Sequence, residues 1–229
     1  MSSQKNPSDS LLYRTLNYIY YLVGVNICFT LSNILFIISF IVLKLEFQNT
    51  LIFIISLIPT GPSIAALFSV VGKFIREKDL YPFKDYFDAY RLNFKQSMKI
   101  WIVQLIILII IVIDIRGIIT TENIILLTLF KPLLFIGAII FSISIYLYAI
   151  LSRFELRTKD LIKLSIIYTF KKLPLSMINI FAILILVYFG VFKLPIFIPI
   201  IPVIIAYVLM LGQSPILKEI EREVLISAC

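Results

Sequence analysis

From residue 100 to 113 the chain reads IWIVQLIILIIIVI, and from 173 to 189 it reads LPLSMINIFAILILVYF. Runs like these leave a helix no wet face, which a soluble amphipathic helix needs. They do not alternate over short segments of about ten residues, as barrel strands would. Several approach the roughly 20 residues that cross a bilayer core. Composition agrees: 61% of the 229 residues are hydrophobic and 15% charged, where a soluble domain carries about 25% charged residues. The fold class expected is an all-α, polytopic membrane helix bundle.

Six spans are expected in one membrane domain over 1–229, at 21–43, 51–71, 99–119, 132–151, 175–192 and 194–211. The last two come from one apolar stretch divided by GVFKLP, because a single helix of that length would overrun the hydrocarbon. Of the 21 Lys and Arg, all but Lys44, Arg116, Lys131 and Lys193 fall on one side of these spans. That bias predicts both termini, and the connections 72–98 and 152–174, in the cytoplasm of a cell whose plasma membrane holds the chain. The net charge of +8 is read as this bias, not as a nucleic-acid footprint. The polar start, MSSQKNPSDS, does not read as a removable signal peptide. Cys28 and Cys229 form neither a disulfide framework nor a metal site.

The second span contains Pro59, Gly61 and Pro62. Proline removes a donor and crowds the preceding turn, so the helix must kink or break there. The freed carbonyls then need a partner from a neighbouring helix, a hydroxyl or water. Ser63, Ala65, Ala66 and Ser69 follow, small enough to let another helix approach closely. Two readings stand: a packing kink, or a discontinuous helix lining a cavity. In the first span Asn26, Thr30 and Asn33 are spaced to share a face, either as hydrogen-bonding contacts between helices or as the polar lining of a transport path.

The connection DLYPFKDYFDAYRLNFKQSMK carries Phe83, Phe87, Tyr90 and Phe94 at helical spacing, with Lys84, Asp88, Arg91, Lys95 and Lys99 on the opposing side. A basic amphipathic helix next to a membrane lies at the interface, its rings among headgroups and its lysines near anionic lipid. The alternative is a docking surface for a protein partner. The second connection, RFELRTKDLIKLSIIYTFKKLP, reads as a shorter version ended by Pro174, which hints at a duplicated hairpin.

Catalytic signatures are missing. The chain has no histidine, hence no Ser–His–Asp arrangement, and no Walker loop, HExxH motif or cysteine cluster. A non-enzyme without cofactor or metal is expected.

Across GPSIAALFSVVGKFIREKDLYPFKDYFDAYRLNFKQS the chain resembles the YesL-like family of bacterial membrane proteins, a domain family of unknown function. The resemblance rests on the turn at 62–67 and on FDAYRLNFKQS at 87–97, with Ser63 where alanine is common. It is expected to extend over about 16–214. Such proteins often accompany carbohydrate ABC-transport components, and the resemblance therefore implies an accessory or assembly partner of a transporter permease. The alternative is a small-solute carrier with a site at the broken second span. Membrane lipids are the other expected partner, and the sequence sets no oligomeric state.

Overall fold

The computed structural model describes residues 11–44, 46–77, 81–120, 124–193 and 200–227. Among them there are helices and no strands: α1 (Leu11–Ser32), α2 (Ile34–Val42), α3 (Thr50–Ser56), α4 (Thr60–Arg76), α5 (Pro82–Thr120), α6 (Ile124–Leu151), α7 (Thr158–Lys171), α8 (Leu173–Tyr188) and α9 (Ile201–Ser227). Short 3₁₀ and π turns precede α3 and follow α8. The architecture is the expected polytopic helix bundle.

Four described segments are long and apolar enough to cross a membrane: Thr50–Arg76, Pro82–Ile118, Phe130–Leu151 and Ile201–Glu223. Two bent pairs bring the number to as many as six if each is counted as one broken span: α1 with α2, bent by 66°, and α7 with α8, bent by 93°.

Two expectations need correction, and a third lies partly outside the described residues. The first span is not one helix over 21–43, because the chain bends at Asn33. The Asn33 side chain donates to the Phe29 carbonyl at 2.8 Å, so an amide competes there with the helix's own ladder. The expected start of the sixth span at 194 lies outside the described residues; the described helix α9 runs from Ile201 past the expected end at 211 to Ser227. The connection 72–98 does not contain a separate surface helix either. Its amphipathic part is the first half of α5, which runs without a break into the third span. The physical cause is plain: between Pro82 and Gly117 there is neither proline nor glycine to end the helix.

At 1.5 Å per residue α5 is about 58 Å long, about twice the hydrocarbon thickness. Its charged half, with Lys84, Asp85, Asp88, Arg91, Lys95 and Lys99, is the half that must lie outside.

α4 is the centre of the packing. It touches α1, α5, α6 and α9. Ser63, Ala65 and Ala66 are fully buried, and Gly61, Pro62, Val70, Val71 and Gly72 are buried around them. The small-residue stripe thus serves the chain's own bundle and is not an outward docking face. Where α4 carries only a hydrogen or a methyl, at Gly61, Ala65, Ala66 and Gly72, its neighbours can come close. At Gly72 a side chain would collide with the Met210 methyl of α9.

Candidate functional site

The break in the second span occupies residues 57–59, immediately before α4. The amide of Ile58 bonds the Ile55 carbonyl at 3.1 Å, and that of Thr60 bonds the Leu57 carbonyl at 3.1 Å, so tighter i→i+3 bonds replace the ladder that proline removes. The indole N–H of Trp101, on α5, donates to the same Leu57 carbonyl at 2.7 Å. The Ser63 hydroxyl bonds the Pro59 carbonyl at 2.8 Å. A Cβ at Gly61 would overlap Cβ and Cγ of Trp101. Gly61 therefore exists to admit the tryptophan, and the tryptophan fills the notch beside the broken turn. This is the arrangement of a packing kink.

Asn26 and Asn33 are buried, and Thr30 is half-buried. The bend puts Asn33 at the start of α2, while Asn26 and Thr30 stay one turn apart on α1. Oδ1 of Asn26, Oδ1 of Asn33 and Oγ1 of Thr60 have no hydrogen-bond partner among the described residues. Each is an acceptor that burial leaves expensive until something donates to it.

On α5 the inward face is polar. Tyr86 is fully buried, and its hydroxyl points to the Ser63 carbonyl at 3.4 Å. Asn93 reaches the Ser69 hydroxyl at 3.3 Å, and Gln96 donates to the Leu156 carbonyl at 2.9 Å. Gln104 donates to the Ser144 hydroxyl at 3.0 Å and accepts from Tyr148 at 3.0 Å. The aromatics marked by sequence face outward instead: Phe83, Phe87 and Phe94 are 45%, 39% and 38% exposed, and only Tyr90 is half-buried. Arg91 and Lys95 are exposed beside them.

Two further constellations escape the sequence reading. The first is the corner where α7 turns into α8. The Ser176 hydroxyl bonds the Thr169 carbonyl at 3.0 Å, and Tyr146 reaches the Lys172 carbonyl at 3.4 Å, so side chains answer the carbonyls that the 93° bend releases. Asn179 and Gln213 are buried in the neighbouring helices, with their amide nitrogens unpartnered among the described residues. Amides inside apolar runs were the available signal, as for Asn26. The second is the basic end of the bundle. Arg153 pairs with Glu221 at 2.5 Å, Lys171 with Glu219 at 2.6 Å, and Lys172 with Glu219 at 3.3 Å. Three carboxylates on one late turn of α9 thus meet the ends of α6 and α7, and Tyr168 adds a bond to Glu223 at 3.3 Å.

A cavity of about 10 Å³, room for about one water, lies by Gly72, Arg76, Arg153 and Ser214. No group of three His, Cys, Asp or Glu that would hold a metal occurs among the described residues.

Residues 22–115 match the family model DUF624, a protein of unknown function. The DUF624 region takes in the second half of α1, the broken second span and nearly all of α5. Both segments that carry the YesL-like resemblance lie inside it. The rest of the expected range, to residue 214, lies outside the match. No curated protein and no solved structure matches the chain.

Proposed function

We propose that the chain is a non-catalytic accessory or assembly subunit of a transporter, carrying its two termini in the cytoplasm of a bacterial cell and docking on a permease within the plasma membrane. The observation that carries this reading is the apolar half of α5. Only 11% of its membrane-crossing window is buried by the rest of the chain, against 39–44% for the other three spans. Ile102, Val103, Ile106, Ile110 and Ile113 are all exposed. A span so poorly covered by its own bundle is suited to receive the helices of another. The carbohydrate class of transporter follows from the family resemblance alone.

The test uses bulk. Lipid tails accept a tryptophan on a helix surface, whereas a packed helix interface does not. Ile106→Trp and Ile110→Trp should leave the protein's level unchanged and abolish near-stoichiometric recovery of a transporter permease in mild detergent. Recovery of the wild-type protein alone would sink the proposal.

A second reading, a small-solute carrier, draws on the unpartnered Asn26, Asn33 and Thr60 acceptors. Solute-dependent thermal stabilisation that disappears in Asn26→Leu would favour it.

A further inference from the structure

The last turn of α4, the end of α6 and the middle of α9 meet at the small cavity beside Gly72. Three of the groups that line it are hydrogen-bond donors: the guanidiniums of Arg76 and Arg153 and the hydroxyl of Ser214. Ile75, Met210 and Leu217 supply apolar walls, and no carboxylate lines the cavity.

The chain itself leaves these donors free. Arg76 makes no hydrogen bond or ion pair among the described residues. Arg153 engages Glu221 through Nη2 and keeps its remaining side-chain N–H groups. A helical serine ordinarily turns its hydroxyl back to its own helix. Ser39, Ser63, Ser69, Ser142 and Ser165 each do so, to the carbonyl four residues earlier. Ser214, half-buried within α9, makes no such bond among the described residues.

The direction of Arg76 is the second observation. It is the last residue of α4 and is exposed, so its side chain has water open to it. Nη1 is nevertheless turned back one helical turn, to where a Cβ added at Gly72 would lie 3.3 Å away. There it lies within range of the Arg153 charge. Cations suit a helix C-terminus, whose carbonyls carry partial negative charge. That accounts for an arginine at the end of α4 and another two residues beyond α6. It does not account for two guanidiniums turned to one cavity, because they repel each other. The acids in range of Arg76 are Glu221, which is paired with Arg153, and Glu77, which is paired with Lys73.

We infer that this end of the bundle is an anion site, in which one phosphate group bridges Arg76, Arg153 and Ser214. The three donors come from three different segments, so the acceptor must offer oxygens in three directions. A tetrahedral phosphate does this, and its pairing with guanidinium is strong, whereas a planar carboxylate has two oxygens. The enclosed space of about 10 Å³ takes a single oxygen. The remaining oxygens lie at the mouth, beside the exposed Arg76 side chain. A free phosphate and a lipid headgroup present the same oxygens, and the test separates them.

Full-length protein in mild detergent and phosphate-free buffer is titrated with sodium phosphate, with ionic strength held constant by sodium chloride, and the thermal midpoint is followed. Phosphate should raise the midpoint by a few degrees at about 100 times its Kd, and sodium acetate should not. Arg76→Gln should weaken phosphate by about tenfold or more, and Ser214→Ala by about fivefold. Without phosphate, Arg76→Gln should unfold no earlier than the wild type, since the substitution removes a repulsion. Dioctanoyl phosphatidic acid is the second probe. If it displaces phosphate, or stabilises the wild type and not Arg76→Gln where phosphate is inert, the group belongs to a lipid headgroup. If it leaves phosphate bound, the site takes the free anion. No stabilisation by either probe, or an equal effect of acetate, overturns the inference. So does an unchanged phosphate affinity in Arg76→Gln, because the residue then serves the helix end alone.

Discussion

The indole N–H of Trp101 meets the carbonyl of Leu57 at 2.7 Å across 44 residues of chain. Leu57 sits in the turn that Pro59 and Pro62 break, so an α5 side chain answers a backbone group that the prolines deprive of regular helical geometry. Inside a bilayer, water is not there to do it. Replacing Trp101 with Phe keeps a ring in the notch and removes the donor, which should cost about 1–2 kcal/mol and lower the thermal midpoint in detergent by a few degrees. Gly61→Ala should cost about 1–3 kcal/mol, because the new methyl overlaps the tryptophan's Cβ and Cγ, the stiff part of that side chain. Equal stability of both variants and wild type would remove the notch from the list of structural determinants.

At the basic end, two ion pairs of similar length should differ in worth. The Arg153 side chain is 14% exposed, whereas the Lys171 and Glu219 side chains are 46% and 33% exposed. Glu221 is 47% exposed, so it is loss of the carboxylate that strands a sheltered charge, on Arg153. Glu221→Gln should therefore cost about 1.5–3 kcal/mol, and Lys171→Gln much less, because both of its partners are open to solvent. Hydrogen exchange checks this directly: amides near 217–223 of α9 should exchange faster in Glu221→Gln and hardly change in Lys171→Gln. Raising salt from low ionic strength should affect the Lys171 pair more.

The α7–α8 corner should depend on Tyr146 and Ser176. Tyr146→Phe removes one donor from the corner, and Ser176→Ala removes the hydroxyl that bonds both Tyr146 and the Thr169 carbonyl. Each change should cost about 1 kcal/mol. The double variant should cost less than the sum of the two, since the groups share one network. Strict additivity in a double-mutant cycle would mean that the two residues act separately.

The spans were readable because long apolar runs admit few other structures, and the break at Pro59–Pro62 was readable because proline acts locally. The bend at Asn33 was not. It depends on one amide choosing the Phe29 carbonyl over a neighbouring helix, a choice that sequence spacing does not encode. The role of the small residues after Pro62 was half legible. Their size foretold close packing, but whether the approaching helix came from the same chain depended on the positions of α1, α5, α6 and α9. The spacing of Phe83, Phe87, Tyr90 and Phe94 says only that they share one helical edge. Which edge faced inward was decided by Tyr86, Asn93 and Ser97, polar residues that bond to the bundle or to their own helix.

The unbroken course of α5 is the feature that most changes the expected picture, and it can be measured. A surface helix over 82–98 lying along the membrane would meet the third span near a right angle, which puts residues 84 and 113 about 30 Å apart. A continuous helix puts them about 44 Å apart. Lys84 and Ile113 are both exposed, so cysteines there accept spin labels without disturbing the core. Cys28 is fully buried and stays in place; Cys229 is replaced by serine. Pulsed dipolar spectroscopy in nanodiscs should give one distribution centred near 44 Å. A shorter mean would place a hinge near Lys99 and restore a separate surface helix over 82–98.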